Sequence, residues 1–151
     1  MTKLKKTLVI LSFILWSLSA LDWNARATEN IDFSVDGNIR DLIALISKET
    51  LPEARQSRVE TILELSMSMP EEINDDTIRA IASLLSDPDD MVRALAAATL
   101  GYFRSRAKVV VPNMIAAMRE KDCVDGGISS SDAIRRALER IGEPPPLRRC
   151  P

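Results

Sequence analysis

The chain has 151 residues, enough for one domain, with 20 basic residues, 22 acidic residues and no histidine. This slightly acidic balance argues against nucleic acid as a partner, because phosphate binding wants a basic face. Two cysteines without C-x-x-C spacing and the lack of histidine argue against redox, metal and serine-hydrolase chemistry.

The N-terminus carries Lys3, Lys5 and Lys6, then an almost wholly apolar run from Thr7 to Leu21. Asp22 ends that run, and Ala25-Arg26-Ala27 supplies small residues at −3 and −1 of a cleavage site. This is the pattern of a secretory signal peptide over residues 1–27, cleaved after Ala27. A second cleavage position follows Ala20. An uncleaved anchor needs about 20 apolar residues, and this run has 15. The expectation is a periplasmic or secreted chain with no stable membrane insertion after signal removal. Taking Lys3, Lys5, Lys6, Arg26 and Asp22 away from 20 basic and 22 acidic residues leaves 16 and 21, a net charge of −5. Phe33, Tyr102 and Phe103 are then the only aromatics, so the core must be aliphatic.

Residues 28–36 lack periodicity and read as an N-terminal arm. Asp36-Gly37-Asn38 predicts a turn and cap before a helical face of Ile39, Leu42, Ile43 and Ile46. Pro52 opens the next helix, which runs through Val59, Ile62, Leu63 and Met67 and stops before Pro70. Asn74-Asp75-Asp76 caps a helix from Thr77 to Ser86. Ser86-Asp87-Pro88-Asp89-Asp90 breaks the chain and caps a helix from Met91 to Phe103. Arg104 to Lys108 is a short basic turn, and Val109 to Glu120 a further helix with Pro112 in its first turn. After a loop containing Cys123, Ser129 or Ser130 caps a last helix that ends at Gly142. Pro144-Pro145-Pro146 cannot continue it, and residues 143–151 form a tail. In an oxidising compartment Cys123 and Cys150 are expected to form a disulfide that ties this tail back, worth about 3–4 kcal/mol in the chain-entropy model.

Residues 59–85 and 92–118 align at an offset of 33. Val59 falls on Val92, Leu63 on Ala96, Met67 on Leu100, Ile78 on Val111, Ile81 on Met114, Ala82 on Ile115 and Leu85 on Met118. All seven pairs are apolar. A shift of 39 places Ile39, Leu42, Ile43 and Ile46 on Ile78, Ile81, Ala82 and Leu85. Repeated helix pairs of this length predict an all-α fold, a short right-handed α-solenoid of about six helices over residues 37–142. Ala94, Ala96, Ala97 and Ala98 permit close helix approach. The polar start Glu53-Ala54-Arg55-Gln56, and Arg135, Arg136 and Arg140 in the last helix, suit terminal units that face water.

The stretch Leu84-Leu85-Ser86-Asp87-Pro88-Asp89-Asp90-Met91-Val92-Arg93-Ala94-Leu95-Ala96-Ala97-Ala98-Thr99-Leu100-Gly101 resembles the HEAT-repeat signature, in particular the HEAT-like repeats of the phycobilisome-lyase type. There a helix ends in L-x-D-x-D, the next begins V-R, and A-A-x-x-L-G follows. Residues 75–118 match well, residues 133–142 match the first helix of a further repeat, and residues 37–68 match in periodicity alone. The resemblance implies that Asp87 and Arg93 are a structural pair linking turn and helix. It does not carry lyase activity over, since a fold does not determine function.

The acidic turn Asp87, Asp89 and Asp90 suits helix capping better than Ca²⁺, because EF-hand spacing is lacking. Glu71, Glu72, Asp75 and Asp76 sit at a wet helix start, without the pocket that acid–base catalysis needs. Arg104, Arg106 and Lys108 form a basic patch, either a solvated turn or a contact for an acidic partner. In the repeat alignment Ala44, Ser83 and Ala116 occupy one position in three successive helices. Arg40 and Arg79 occupy another, with Pro112 in the third copy, and Asp41, Ala80 and Asn113 form the next row. Either this stripe receives a partner's helix or loop, or its small residues serve tight helix packing. No catalytic, cofactor or metal residues are expected. The function expected is a non-enzymatic exported module that binds another protein, as adaptor, accessory subunit or immunity-type inhibitor. The alternative is an accessory or lyase-like handler of a small molecule or chromophore. Self-association through apolar stack ends is a third expectation.

Overall fold

A computed structural model of the chain describes residues 34–118 and 129–146. These belong to one unit, Phe33–Pro151. The expected signal segment 1–27, the expected arm up to residue 33, Cys123, Cys150 and their expected bridge lie outside the described residues. The described helices are α1 Val35–Ile46, α2 Pro52–Ser68, α3 Asp75–Ser83, α4 Asp90–Tyr102, α5 Val111–Ala117 and α6 Ser130–Ile141. Short 3-10 segments cover Pro70–Glu72, Leu84–Ser86 and Arg104–Val110. No strand occurs among the described residues, and the fold class is all-α. None of these helices is long and apolar enough to cross a membrane.

Caps place most helix starts. Asn74 Oδ1 accepts from Thr77 N at 2.9 Å, Asp89 Oδ1 from Val92 N at 3.0 Å, and Ser129 Oγ from Asp132 N at 3.1 Å. Each satisfies a backbone donor that the first helical turn leaves open. Pro52 opens α2 in place of a side-chain cap. The start of α1 differs from the sequence expectation. Ser34, not Asp36-Gly37-Asn38, is the cap: its Oγ accepts from Gly37 N at 3.0 Å. Val35 and Ile39, one turn apart, are then both buried. The expected helix from Val109 is a 3-10 turn up to Val110, with α-helix from Val111. Pro112 has no N–H to return to Lys108, so α-helical bonding restarts there. Gly142 ends α6 in the left-handed region at φ 88°, and Glu143 N donates back to Leu138 O at 2.9 Å.

The main contacts join sequence neighbours α1–α2, α3–α4 and α5–α6, and also helices that are next but one in sequence. Helix α2 packs on α4, and α4 on α6; α1 packs on α3, and α3 on the Arg104–Val110 turn that leads into α5. The even-numbered helices thus form one row and the odd-numbered helices another. The core between the rows is aliphatic: Ile39, Ile46, Val59, Ile62, Ile78, Ile81, Leu85, Val92, Leu100, Met114, Ile134 and Leu138 are all buried. Helix α4 lies at its centre. Ala94, Ala96, Ala97, Thr99 and Gly101 are buried on several of its sides. A Cβ added at Gly101 would lie 3.1 Å from Ala137 Cα, so a larger residue there would press α6 away by a few tenths of an ångström.

The matched apolar pairs are not all matched in burial. Val59 and Val92, and Ile81 and Met114, are buried in both copies. Met67 is 51% exposed while its counterpart Leu100 is fully buried, and Ile115 is 45% exposed while Ala82 is buried. In α2 the buried line runs Val59, Ile62, Ser66. Residue 67 lies a further 100° around the helix and turns outward. Ser66 Oγ is buried and has no hydrogen-bond partner among the described residues. Ser66→Ala removes an unsatisfied buried hydroxyl and improves helix propensity, and is expected to stabilise the protein by about 1 kcal/mol. A chemical-denaturation midpoint lower than that of the parent would refute this account of α2.

Candidate functional site

The odd-numbered helices turn one face into the core and the other to solvent. Arg40, Asp41 and Ala44 on α1, Arg79 and Ser83 on α3, and Asn113 and Ala116 on α5 are all exposed. The sequence-derived stripe therefore lies on the outer side of one row. None of these residues is buried against a described helix, so among the described residues the small side chains serve no tight helix packing. Ala80, in the second line of the stripe, is half-buried. Ser83 turns its hydroxyl back to Ala80 O at 2.7 Å, which leaves a nearly apolar methylene outward. Arg79 pairs with Asp76 at 2.7 Å, with both side chains largely in water. Such a pair is worth little and exchanges readily for a partner's carboxylate. Arg40 is less free. Its Nη2 lies 2.8 Å from Asp36 Oδ2, and its Nε donates to Thr77 Oγ1 at 2.9 Å.

That contact belongs to a larger arrangement that the sequence reading missed. Asp36 is buried; it accepts from Asn74 N at 3.0 Å and from Asn74 Nδ2 at 2.7 Å. The Asp36–Arg40 pair thus clasps the start of α3. In the other row, Arg93 and Asp90 pair at 2.5 Å. Arg93 Nε donates to Ser130 Oγ at 3.2 Å, and Ser130 N donates to Asp90 Oδ2 at 3.2 Å. This pair clasps the start of α6. Gln56 Nε2 donates to the α4 cap, Asp89 Oδ1, at 3.1 Å, and Arg55 lies 3.4 Å from Asp87 Oδ1. Arg106 reaches Pro70 O at 2.9 Å and also binds Ile73 O, just before α3. The sequence signal was an aspartate three or four residues before an arginine at two helix starts.

Asp87 and Arg93 do meet, but through the backbone. Arg93 Nη1 donates to Asp87 O at 2.8 Å and to Pro88 O at 3.0 Å. The Asp87 carboxylate instead accepts from Asp89 N at 2.8 Å and faces Arg55. The Arg93 side chain is 4% exposed, and hydrogen bonding by its planar fork suits a buried cation. The polar start Glu53-Ala54-Arg55-Gln56 does not simply face water. Arg55 is 13% exposed, because it and Gln56 bridge to the next helix start in the row.

The acidic turn is fully engaged by these contacts and caps. Burial tends to raise the Asp89 carboxyl, but hydrogen bonds from Val92 N, Gln56 and Met91 N, with Arg55 nearby, outweigh it and hold the group below its usual range. Glu49 is also lowered, first by the hydrogen bond from Arg58. Among the described residues no cluster of three or more acidic, cysteine or histidine side chains is placed to hold a metal ion. Glu71, Glu72, Asp75 and Asp76 are exposed. The basic patch divides: Arg106 binds the carbonyls before α3, Lys108 pairs with Glu143 at 3.2 Å, and Arg104 stays exposed.

Arg93→Met strands two carbonyls and the Asp90 carboxylate, which is half exposed and partly rehydrated, and is expected to cost about 1–3 kcal/mol. A loss under 1 kcal/mol in urea denaturation would show that the clasp is not structural. The depressed Asp89 carboxyl binds protons more weakly folded than unfolded. Its contribution is therefore present above about pH 4, its unfolded value, and is lost as the pH falls through the folded value. Stability is expected to drop as the pH falls below about 4, less steeply in Asp89→Asn, which keeps a cap oxygen but does not titrate. Equal slopes in urea midpoints across that range would refute this. Comparison with protein-family models, with curated proteins and with solved structures finds no match to the chain.

Proposed function

We propose that the chain is an exported, non-enzymatic binding module: a short right-handed α-solenoid of HEAT-like helix pairs that holds another protein against the outer face of α1, α3 and α5. One observation carries this reading. Of the nine residues that the repeat alignment sets in register, eight are solvent-exposed on α1, α3 and α5, and Ala80 is half-buried. Three small or neutral residues, Ala44, Ser83 and Ala116, run beside Arg40 and Arg79. A partner's helix or loop with acidic residues would find both van der Waals access and exchangeable ion pairs. The clasps at the helix starts keep these positions in fixed relation, so binding would cost little ordering of the module. The two-row contact pattern supports the stack, and the N-terminal sequence pattern supports export.

The clean test avoids Arg40, which also clasps α3. The triple variant Ala44→Arg, Arg79→Glu, Ser83→Arg alters only exposed positions, where substitutions usually change stability by no more than about 0.5 kcal/mol. Partners captured from the exported fraction by the parent are expected to bind this variant at least tenfold more weakly, with an unchanged thermal midpoint. Retention of every partner at full affinity would overturn the assignment of this face.

A further inference from the structure

A second feature lies on the even-numbered helices, away from that face. Gly101, Tyr102, Arg104 and Arg140 line an open cleft of about 340 Å³ at the C-terminal ends of α4 and α6. This volume suits a small ligand or one or two side chains. Arg140 stacks over the Tyr102 ring, 5.5 Å from its centroid. Stacking orients a guanidinium without using its N–H donors. Arg104 is the only non-glycine residue with positive φ among the described residues, at 51°. That region disfavours a residue with a Cβ, and such outliers concentrate at binding and switch sites.

The bland alternative is that the two arginines answer the partial negative charge of two helix C-termini. That accounts for cations at this end, and helix termination accounts for the positive φ of Arg104, which follows the α4 C-cap Phe103, although glycine more often fills that place. Neither arginine has an acidic partner among the described residues. Several cations nearby are engaged: Arg106 by carbonyls and Asp75, Lys108 by Glu143, Arg135 by Pro146 O at 2.6 Å; Arg136 is exposed on α6 but does not line the cleft. Arg104 and Arg140 form no ion pair or hydrogen bond with the described residues and flank a concavity. We infer that this cleft binds a compact oxyanion, a carboxylate or phosphoryl group, between the guanidinium groups of Arg104 and Arg140. Bidentate guanidinium forks match either group. The acidic balance of the whole chain disfavours a polyanion and favours a small ligand.

The full chain is titrated with sodium succinate and, separately, inorganic phosphate at constant ionic strength, with amide chemical shifts as the readout. Saturable shifts at Gly101, Tyr102, Arg104 and Arg140 are expected with at least one probe. The probe that saturates at the lower concentration identifies the ligand as carboxylate or phosphoryl. Arg104→Gly suits the left-handed backbone and folds at least as well as the parent, so it removes the charge without damaging the fold. Combined with Arg140→Gln it should weaken binding at least tenfold. Non-saturating shifts with both probes, or equal affinity in the double variant, would overturn the site.

Discussion

The fold depends on how it settles its helix starts. Within a row, neighbouring helices begin side by side, as the Arg93–Ser130 and Asp36–Asn74 contacts require. Parallel neighbours bring together open N–H donors and like partial positive charges. Aspartates answer both problems. Asp36, Asp89 and Asp90 accept backbone or cap hydrogen bonds at these ends. The resulting negative charge then needs cations, and Arg40, Arg55, Arg93 and Arg106 supply them while reaching the adjacent helix or the turn before it. The aliphatic core supplies the driving force, but it is non-directional. The hydrogen-bonded clasps fix which helix turn lies beside which.

Much of this was legible in the sequence, for physical reasons. Caps are local: Asn74, Asp89 and Ser129 announce helix starts because a short polar side chain there satisfies its own helix. Proline and glycine are equally local, and Pro52 and Gly142 stand where expected. Burial is not local. Met67 and Leu100 match in sequence yet differ in exposure, since α4 has helices on several sides and α2 has fewer. Ser66 is buried against the pattern because helix rotation follows the packing of Val59 and Ile62. The dual roles of Arg40 and Arg55 were hidden for the same reason: an arginine at an exposed-looking position gives no sign that another helix start lies within its reach.

The candidate face was legible as a register and not as a surface. Aligning Ala44 with Ser83 and Ala116 identified equivalent positions, and only the packing shows that they point outward. The clasps also qualify the face. They engage Arg40 in structure while leaving Arg79 in a solvent-weakened pair, so recognition would weigh more on α3 than on α1.

The same helix polarity separates the two candidate sites by chemistry. Acidic groups gather at the start of each row because donors gather there, and they are consumed by caps and clasps. At the opposite end the exposed carbonyls of α4 and α6 favour cations, and Lys108 there pairs with Glu143. Arg104 and Arg140 make no hydrogen bond or ion pair with the described residues. A left-handed arginine at φ 51° ends α4 where glycine would sit without strain, so this helix end is set by the turn that leads into α5 and not by the residue's own preference.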